Sequence, residues 1–175
     1  MSYNPDRHHR RSIRLRGYDY AQVGAYYITL CTHGRAWFFG RIVDGVMALS
    51  EAGQIAEREL LQTSDVRPNT QIDAYVVMPN HVHVIFVIVY RDADTPQRAA
   101  TFRSPARTVG AIVRGYKGAV TSQINKLNGT EEPVWQRNYY EHIVRNDADL
   151  NRIRRYIEAN PARWQDAANP HEGWR

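Results

Sequence analysis

The sequence predicts an α+β fold in which an antiparallel β-sheet has helices packed mainly on one face. Its 175 residues are about the length of one domain, and 43% of them are hydrophobic, enough to form a core. Segments with strand and helix character follow one another in the order β-β-α-β-β-α-α, in which the two strands of a predicted hairpin are counted as one element. Because no internal repeat interrupts this order, we expect one domain over residues 18–164, between a basic arm (1–17) and a C-terminal tail (165–175).

The first third of the chain predicts three strands and a helix. β-Branched and aromatic residues predict a strand from Ala25 to His33 and a second from Trp37 to Val43. The pair Asp44-Gly45 is typical of a tight turn and predicts a hairpin with a short strand at Val46–Leu49. Ser50 has the character of an N-cap, which predicts a helix extending to about residue 62.

The remainder predicts two more strands and two more helices. Pro79-Asn80 separates the two strands, and Asn128-Gly129 ends the first of the helices. We expect residues 91–107 to form a basic loop and residues 133–144 to form a connection between the helices. The predicted elements are strands 72–78 and 81–90, helix 108–127, and a helix from Asp147 or Asp149 to Asn160, where Pro161 stops it.

The charge distribution favours a polyanionic partner. Twenty-three basic residues against 18 acidic ones give a net charge of +5 and a pI near 9.5. The excess lies in residues 1–16 and 91–126, and basic residues concentrated in this way suit phosphate binding, although solvated basic loops are the alternative. All but two of the basic residues are arginines, which bind phosphate through two parallel hydrogen bonds. The candidate phosphate contacts are Arg7, Arg10, Arg11, Arg14, Arg16, Arg114 and Lys117.

Several classes of protein are excluded by composition. The single cysteine, Cys31, excludes an internal disulfide framework and a cysteine-cluster metal site. The mean hydropathy is −0.58, and no window approaches the roughly 18 consecutive apolar residues of a membrane span. We therefore expect a soluble cytoplasmic protein without a membrane partner.

His81-Val82-His83 opens the most apolar predicted strand. Side chains two residues apart in a strand point to the same face, so both imidazoles project together from backbone positions roughly 6.5–7 Å apart. Two neutral imidazoles at this spacing can bind one divalent cation. The alternative is that both histidines form hydrogen bonds with neighbours on the sheet.

Tyr156 and Asn160 form a second candidate pair. Residues four apart share a helix face, which places the phenol beside the carboxamide. Taken alone, the tyrosine could serve packing and the asparagine could be an ordinary helix end before proline. Beside a cation that polarises a phosphate, however, a phenolate can attack phosphorus and form a covalent phosphotyrosine.

Three segments, 76–83 (VVMPNHVH), 135–142 (WQRNYYEH) and 151–161 (NRIRRYIEANP), resemble the motifs of REP-associated tyrosine transposases. These enzymes are relatives of the single-tyrosine insertion-sequence transposases, which share a histidine–hydrophobe–histidine (HUH) motif. The resemblance implies an α+β fold related to the ferredoxin-like and RNA-recognition (RRM) sheets. It also implies a bacterial, nucleoid-associated enzyme that cuts and rejoins single-stranded DNA beside palindromic hairpins, with Mg²⁺ or Mn²⁺ as cofactor.

The same resemblance implies roles for individual residues. His81 and His83 would be metal ligands, and Tyr156 would be the nucleophile that forms a 5′-phosphotyrosine. Asn160 would be the third ligand, at a position where many relatives have glutamine. Whether Tyr156 acts on the metal site of its own subunit or of a partner, and whether the protein is a monomer or a homodimer, stays open.

Two alternative functions compete with this interpretation. One is a non-catalytic, RRM-like nucleic-acid-binding module, which requires aromatic side chains such as Tyr26, Tyr27 and Phe38 on an exposed sheet face. The other is a metal-dependent nuclease in which water attacks and Tyr156 is dispensable.

Overall fold

A computed structural model describes residues 17–90 and 108–164 of the chain. The strands are β1 (Gly24–Cys31), β2 (Gly40–Val43), β3 (Val46–Leu49), β4 (Thr70–Met78), β5 (His81–Ile88) and β6 (Tyr140–Ile143). The α-helices are α1 (Glu51–Leu61), α2 (Thr63–Val66), α3 (Val109–Asn128) and α4 (Asp147–Ala159). The predicted α+β class is confirmed.

The central sheet has four antiparallel strands in the order β4-β5-β1-β6, and β2 and β3 form a separate hairpin. Strand β5 lies between β4 and β1, and every residue of it but one is buried. Its side chains alternate as predicted. Val82, Val84 and Phe86 join one hydrophobic core, whereas Ile85, in phase with the histidines at 81 and 83, joins the other.

The two faces of the sheet are covered unequally. Buried side chains of α1 and α3 pack with the sheet in the larger core, so the helices do lie mainly on one face. The exception is α4, whose Ile153 and Ile157 pack against Tyr27 and Ile85 on the opposite face. Arg154 of this helix also forms an ion pair with Asp73 of β4. Helix α4 therefore lies on the same face as the two histidines.

The open aromatic surface required by the RRM-like alternative is absent from the described part of the sheet. Tyr26 and Tyr27 are both 0% exposed, one in each core, and Phe38 is only half-exposed. Since helices cover both faces, neither tyrosine can stack on a nucleic-acid base in this conformation.

Capping explains where the helices begin and end. Ser50 is the predicted N-cap and accepts a hydrogen bond from the backbone N–H of Gly53 at 3.1 Å. Gly129 ends α3 in the left-handed conformation, with φ of 63°. The predicted cap of α4 is wrong: Asn146 is the cap and accepts from the N–H of Asp149 at 2.8 Å. The two predicted caps instead lie in the first turn, where carboxylates interact favourably with the helix dipole.

Strands β1, β4 and β5 differ from their predicted bounds by no more than two residues at either end, and three differences are larger. Strand β2 begins at residue 40 instead of 37, because the backbone of Phe39 bonds to Pro79 and Ser50 outside the hairpin. Residues 140–143, expected in a connection, form edge strand β6 beside β1. Residues 63–66 form the short helix α2 in a predicted loop. None of the described helices is long and apolar enough to span a bilayer.

Candidate active site

The two histidines at the start of β5 point toward each other. His81 is 1% exposed and His83 is 0% exposed. Their Nε2 atoms are 3.1 Å apart, and their ring centroids are 4.5 Å apart. The predicted projection onto one face is therefore confirmed, and the burial of the pair raises the question of which groups bind the other ring nitrogens.

Each Nδ1 atom has a polar neighbour. The Nδ1 of His81 lies 2.7 Å from the Oδ1 of Asn80, and because an amide oxygen can only accept, this contact places the ring proton on Nδ1. The Nδ1 of His83 lies 2.7 Å from the Tyr27 hydroxyl and 2.9 Å from the Thr29 hydroxyl. Hydroxyls both donate and accept, so His83 can hold its proton on either nitrogen.

This arrangement fits a divalent cation. Adjacent ligands about 2.1 Å from an octahedral ion are about 3.0 Å apart, close to the 3.1 Å separation of the two Nε2 atoms. A proton on Nδ1, held by an oxygen neighbour, turns the Nε2 lone pair toward a metal, as is usual for metal-bound histidine. Across residues 17–90 and 108–164, no three His, Cys, Asp or Glu side chains form a metal cluster. Further ligands would have to be of another kind, such as the Asn160 carboxamide, water or a phosphate oxygen.

Helix α4 brings Tyr156 to the histidines. The Tyr156 ring is 5.3 Å from the His83 ring and 6.5 Å from the Tyr27 ring, between centroids. Burial raises the pKa of the Tyr156 phenol above its ordinary value of 10.0, and a hydrogen bond with Asn160 offsets part of the rise. Only the amide N–H group of Asn160 can donate a hydrogen bond to a phenolate oxygen, and such a bond would stabilise the phenolate.

Asn160 is the C-cap of α4 and directly precedes Pro161. Its backbone has helical angles, φ −60° and ψ −46°, although proline follows. The chain continues into a 3₁₀ turn, Pro161–Arg163, which ends α4 as predicted. The Asn160 side chain lies close enough to the Tyr156 phenol to affect its pKa, in keeping with the predicted pairing on one helix face, whereas coordination of a metal by Asn160 stays a prediction.

The predicted phosphate contacts lie elsewhere. Arg7, Arg10, Arg11, Arg14 and Arg16 fall outside the described residues. Arg114 is exposed on α3, the helix on the other side of the sheet from the histidines. Lys117 is half-buried, and its Nζ lies 2.5 Å and 3.3 Å from the backbone carbonyls of Gln136 and Arg137. This placement favours a structural role for Lys117 over the predicted phosphate contact.

Two aromatic residues near the site escaped the sequence analysis. The Trp164 ring is stacked on His81 at 5.9 Å and 30°, and Trp37 contacts Trp164 at 5.9 Å and 68°. No local sequence pattern predicts either contact, because these residues are far apart in the sequence. Asn80 directly precedes His81, and Tyr27 and Thr29 alternate on a predicted strand, but no sequence pattern shows that these three side chains contact the histidines.

Comparisons with known proteins indicate which proteins this chain resembles. No family model matches the chain. A Haemophilus influenzae protein whose name states no function is 38% identical over 170 residues, which cover 93% of this chain and 94% of that protein. The REP-associated tyrosine transposase of Escherichia coli is 26% identical over 132 residues, which cover 74% of this chain and 68% of that protein.

A solved structure has the same fold. The structure of a REP-associated tyrosine transposase bound to a REP hairpin matches with a TM-score of 0.56 and 22% identity, over 86% of this chain and 73% of that one. Fold and relatives together define a transposase-like DNA-processing enzyme. More specifically, the chain is similar to REP-associated tyrosine transposases, at 23–26% identity.

Proposed function

We propose that this protein cuts and rejoins single-stranded DNA beside palindromic hairpins through a covalent bond to Tyr156. The observation that carries the proposal is the 5.3 Å distance between the rings of Tyr156 and His83. A phenol beside two converging imidazoles is the arrangement that a metal-assisted attack on phosphorus requires. The hairpin-bound relative supports the choice of substrate.

His81 and His83 would hold Mg²⁺ or Mn²⁺, with Asn160 as the proposed third ligand. The ion, when bound, neutralises charge on the scissile phosphate and makes phosphorus more electrophilic. Asn80 holds the proton of His81 on Nδ1, which leaves Nε2 as the ligand atom. Because imidazole nitrogen is a softer ligand than water or carboxylate, Mn²⁺ is the better probe of this site.

The Tyr156 oxygen forms the new bond to phosphorus. Asn160 stabilises the phenolate by donating a hydrogen bond, while the phenolic proton passes to water. The bond between phosphorus and the 3′ oxygen breaks, and that oxygen takes up a proton, which leaves a 5′-phosphotyrosine and a free 3′-OH. Attack by the 3′-OH of another strand end reverses these steps without external energy, because one phosphate ester replaces another.

The proposed reaction takes place within one chain. Tyr156 and both histidines come from the same polypeptide, since α4 packs on the face of its own sheet that carries them. This supports action of Tyr156 on the metal site of its own subunit. A monomer would then be sufficient for cleavage, and a homodimer would not be required to complete the site.

A denaturing gel tests the proposal. The protein is incubated with Mn²⁺ and single-stranded DNA from the palindromic repeats that flank its own gene. We expect a slower protein band with covalently attached DNA, lost in Tyr156→Phe and in His81→Ala. Tyr140→Phe is the matched control, because Tyr140 is half-buried and packs in the same cluster beside Tyr27.

Other results would point to the alternatives. Cleavage without an adduct that survives Tyr156→Phe would indicate a nuclease in which water attacks. Binding without cleavage across several repeat sequences would indicate a DNA-binding module.

A further inference from the structure

Aromatic rings extend from the candidate metal site to the surface. The order is His81, Trp164 and Trp37, with 5.9 Å between successive ring centroids. Trp37 is 55% exposed, and Trp164 is half-exposed. Scattered exposed hydrophobic residues are ordinary, but here two indoles are in contact with each other and with a candidate metal ligand.

The loop that carries Trp37 is fixed to the residues that precede His81. The N–H of Thr32 donates to the carbonyl of Asn80 at 2.9 Å, and the Thr32 hydroxyl lies 2.8 Å from the carbonyl of Ala36 and 3.0 Å from that of Asn80. On the other side of Trp37, the N–H of Phe39 donates to the carbonyl of Pro79 at 3.0 Å. The position of Trp37 relative to the histidines is therefore held on both sides.

Trp164 is held in place by a different part of the chain. It follows the 3₁₀ turn that ends α4, and this turn contacts the tip of the β2–β3 hairpin. At the tip, Gly45 has φ of +76°, and a Cβ added there would lie 3.5 Å from the Cα of Ala162. Both indoles are thus placed by backbone that is anchored independently of any ligand.

We propose that Trp37 and Trp164 form a stacking site for a nucleobase of the single strand, within a few nucleotides of the scissile phosphate. The proposal rests on the proposed function, which brings that phosphate to His81 and His83. Stacking on aromatic side chains is a common way for proteins to bind single-stranded nucleic acid, because every base has a π face. Stacked nucleotides rise about 3.4 Å each, so each ring step of 5.9 Å corresponds to about two nucleotides, and both steps lie within the span of a short strand.

The surroundings favour a nucleotide over a purely apolar ligand. The exposed Arg163 directly precedes Trp164, and the whole chain carries a net charge of +5. A base on the indoles would place its phosphates near this guanidinium and the proposed cation. The site would accept different bases, with the strength of stacking setting the preference.

Binding of a labelled oligothymidylate, measured by fluorescence anisotropy in EDTA, tests the site without cleavage. Because each stacked base contributes about 1–3 kcal/mol, Trp37→Ala should weaken binding by roughly 5- to 150-fold. Trp37→Tyr should restore most of the affinity, since it restores an aromatic face. Leu127→Ala is the control, because Leu127 is an exposed hydrophobic residue at the end of α3 and should not affect binding.

An abasic oligonucleotide separates base stacking from other contacts. In a hairpin-bearing oligonucleotide, where the hairpin fixes the register, a single abasic site at each position of the adjoining single strand in turn should reveal one or two positions where Trp37→Ala costs nothing further. The inference is overturned if the parent protein does not bind, if Trp37→Ala binds like the parent, or if its loss is the same at every abasic position.

The adduct gel keeps this inference distinct from the proposed function. A Tyr156 adduct together with unchanged binding by Trp37→Ala would overturn the stacking site alone. Binding that depends on Trp37 without any adduct would overturn the proposed chemistry and leave the stacking site supported.

Discussion

His83 has two hydroxyl neighbours, so removing both should affect metal binding far more than removing either one. The Tyr27 and Thr29 hydroxyls lie 2.7 Å and 2.9 Å from its Nδ1. In Tyr27→Phe the Thr29 hydroxyl can still hold the Nδ1 proton, and in Thr29→Val the Tyr27 hydroxyl can do so. The double variant removes both acceptors from a histidine that is 0% exposed.

The magnitudes follow from these contacts. Each single variant should weaken Mn²⁺ binding by no more than about threefold, because one oxygen still orients the ring. Loss of the groups that orient a metal-bound histidine typically costs about 10- to 100-fold in affinity, which is about 1.4–2.7 kcal/mol. The double variant should weaken Mn²⁺ binding by an amount in this range. At the upper end of the range, the loss is far larger than the two single effects multiplied together.

Titration calorimetry with Mn²⁺ measures these affinities, and urea unfolding confirms that each variant is folded. Tyr26→Phe is the matched control: Tyr26 is equally buried on the same strand, but its hydroxyl donates to the carbonyl of Gln22 at 2.9 Å on the other side of the sheet. The reasoning is refuted if the double variant binds Mn²⁺ within threefold of the parent, or if either single variant loses as much as the double.

Two further predictions concern stability and DNA binding. Burial alone would raise the pKa of Asp149, but hydrogen bonds from His142 and Arg152 outweigh this effect and hold the pKa below its usual 3.8. The ionised carboxylate therefore stabilises the fold above that pH, and its contribution is lost as the pH falls through the lowered pKa. Asp149→Asn should therefore lower the melting temperature by a few degrees near pH 7, with the difference from the parent shrinking in acid; an equal difference at every pH would contradict this. Lys117→Met should lower the free energy of unfolding in urea by about 1–2 kcal/mol without changing the salt dependence of hairpin binding. Arg114→Ala should leave stability unchanged and should lower the number of ions released on hairpin binding by about one. A smaller salt dependence for Lys117→Met would restore its predicted contact with phosphate.

Much of the fold could be predicted because its signals are local. The cap at Ser50, the left-handed glycine that ends α3 and the alternation along β5 each depend on a few consecutive residues. The same holds for the pairing of the histidines on one strand face and of Tyr156 with Asn160 on one helix face. Short-range geometry fixes these relations whatever surrounds them.

The parts that escaped prediction depend on contacts between distant segments. Strand β6 has only four residues and exists because β1 offers an edge for it to pair with. Lys117 appeared to be a surface cation because no sequence pattern shows that the carbonyls after Trp135 approach it. Likewise, the side of the sheet on which α4 packs, and hence the meeting of Tyr156 with His83, is decided by tertiary packing.

The unequal cores suggest how the molecule would lose activity on heating. Four buried residues form the core beneath α4, whereas twenty form the core on the other face, counted over the described residues. A helix held by so few buried contacts can detach in a local opening that costs less free energy than global unfolding. Because Tyr156 is on that helix and both histidines are on the central strand, such an opening separates the proposed nucleophile from the proposed metal ligands while most of the sheet stays folded. Amide hydrogen exchange should then be faster in α4 than in β5, and cleavage should fail at a lower temperature than the one at which the protein melts.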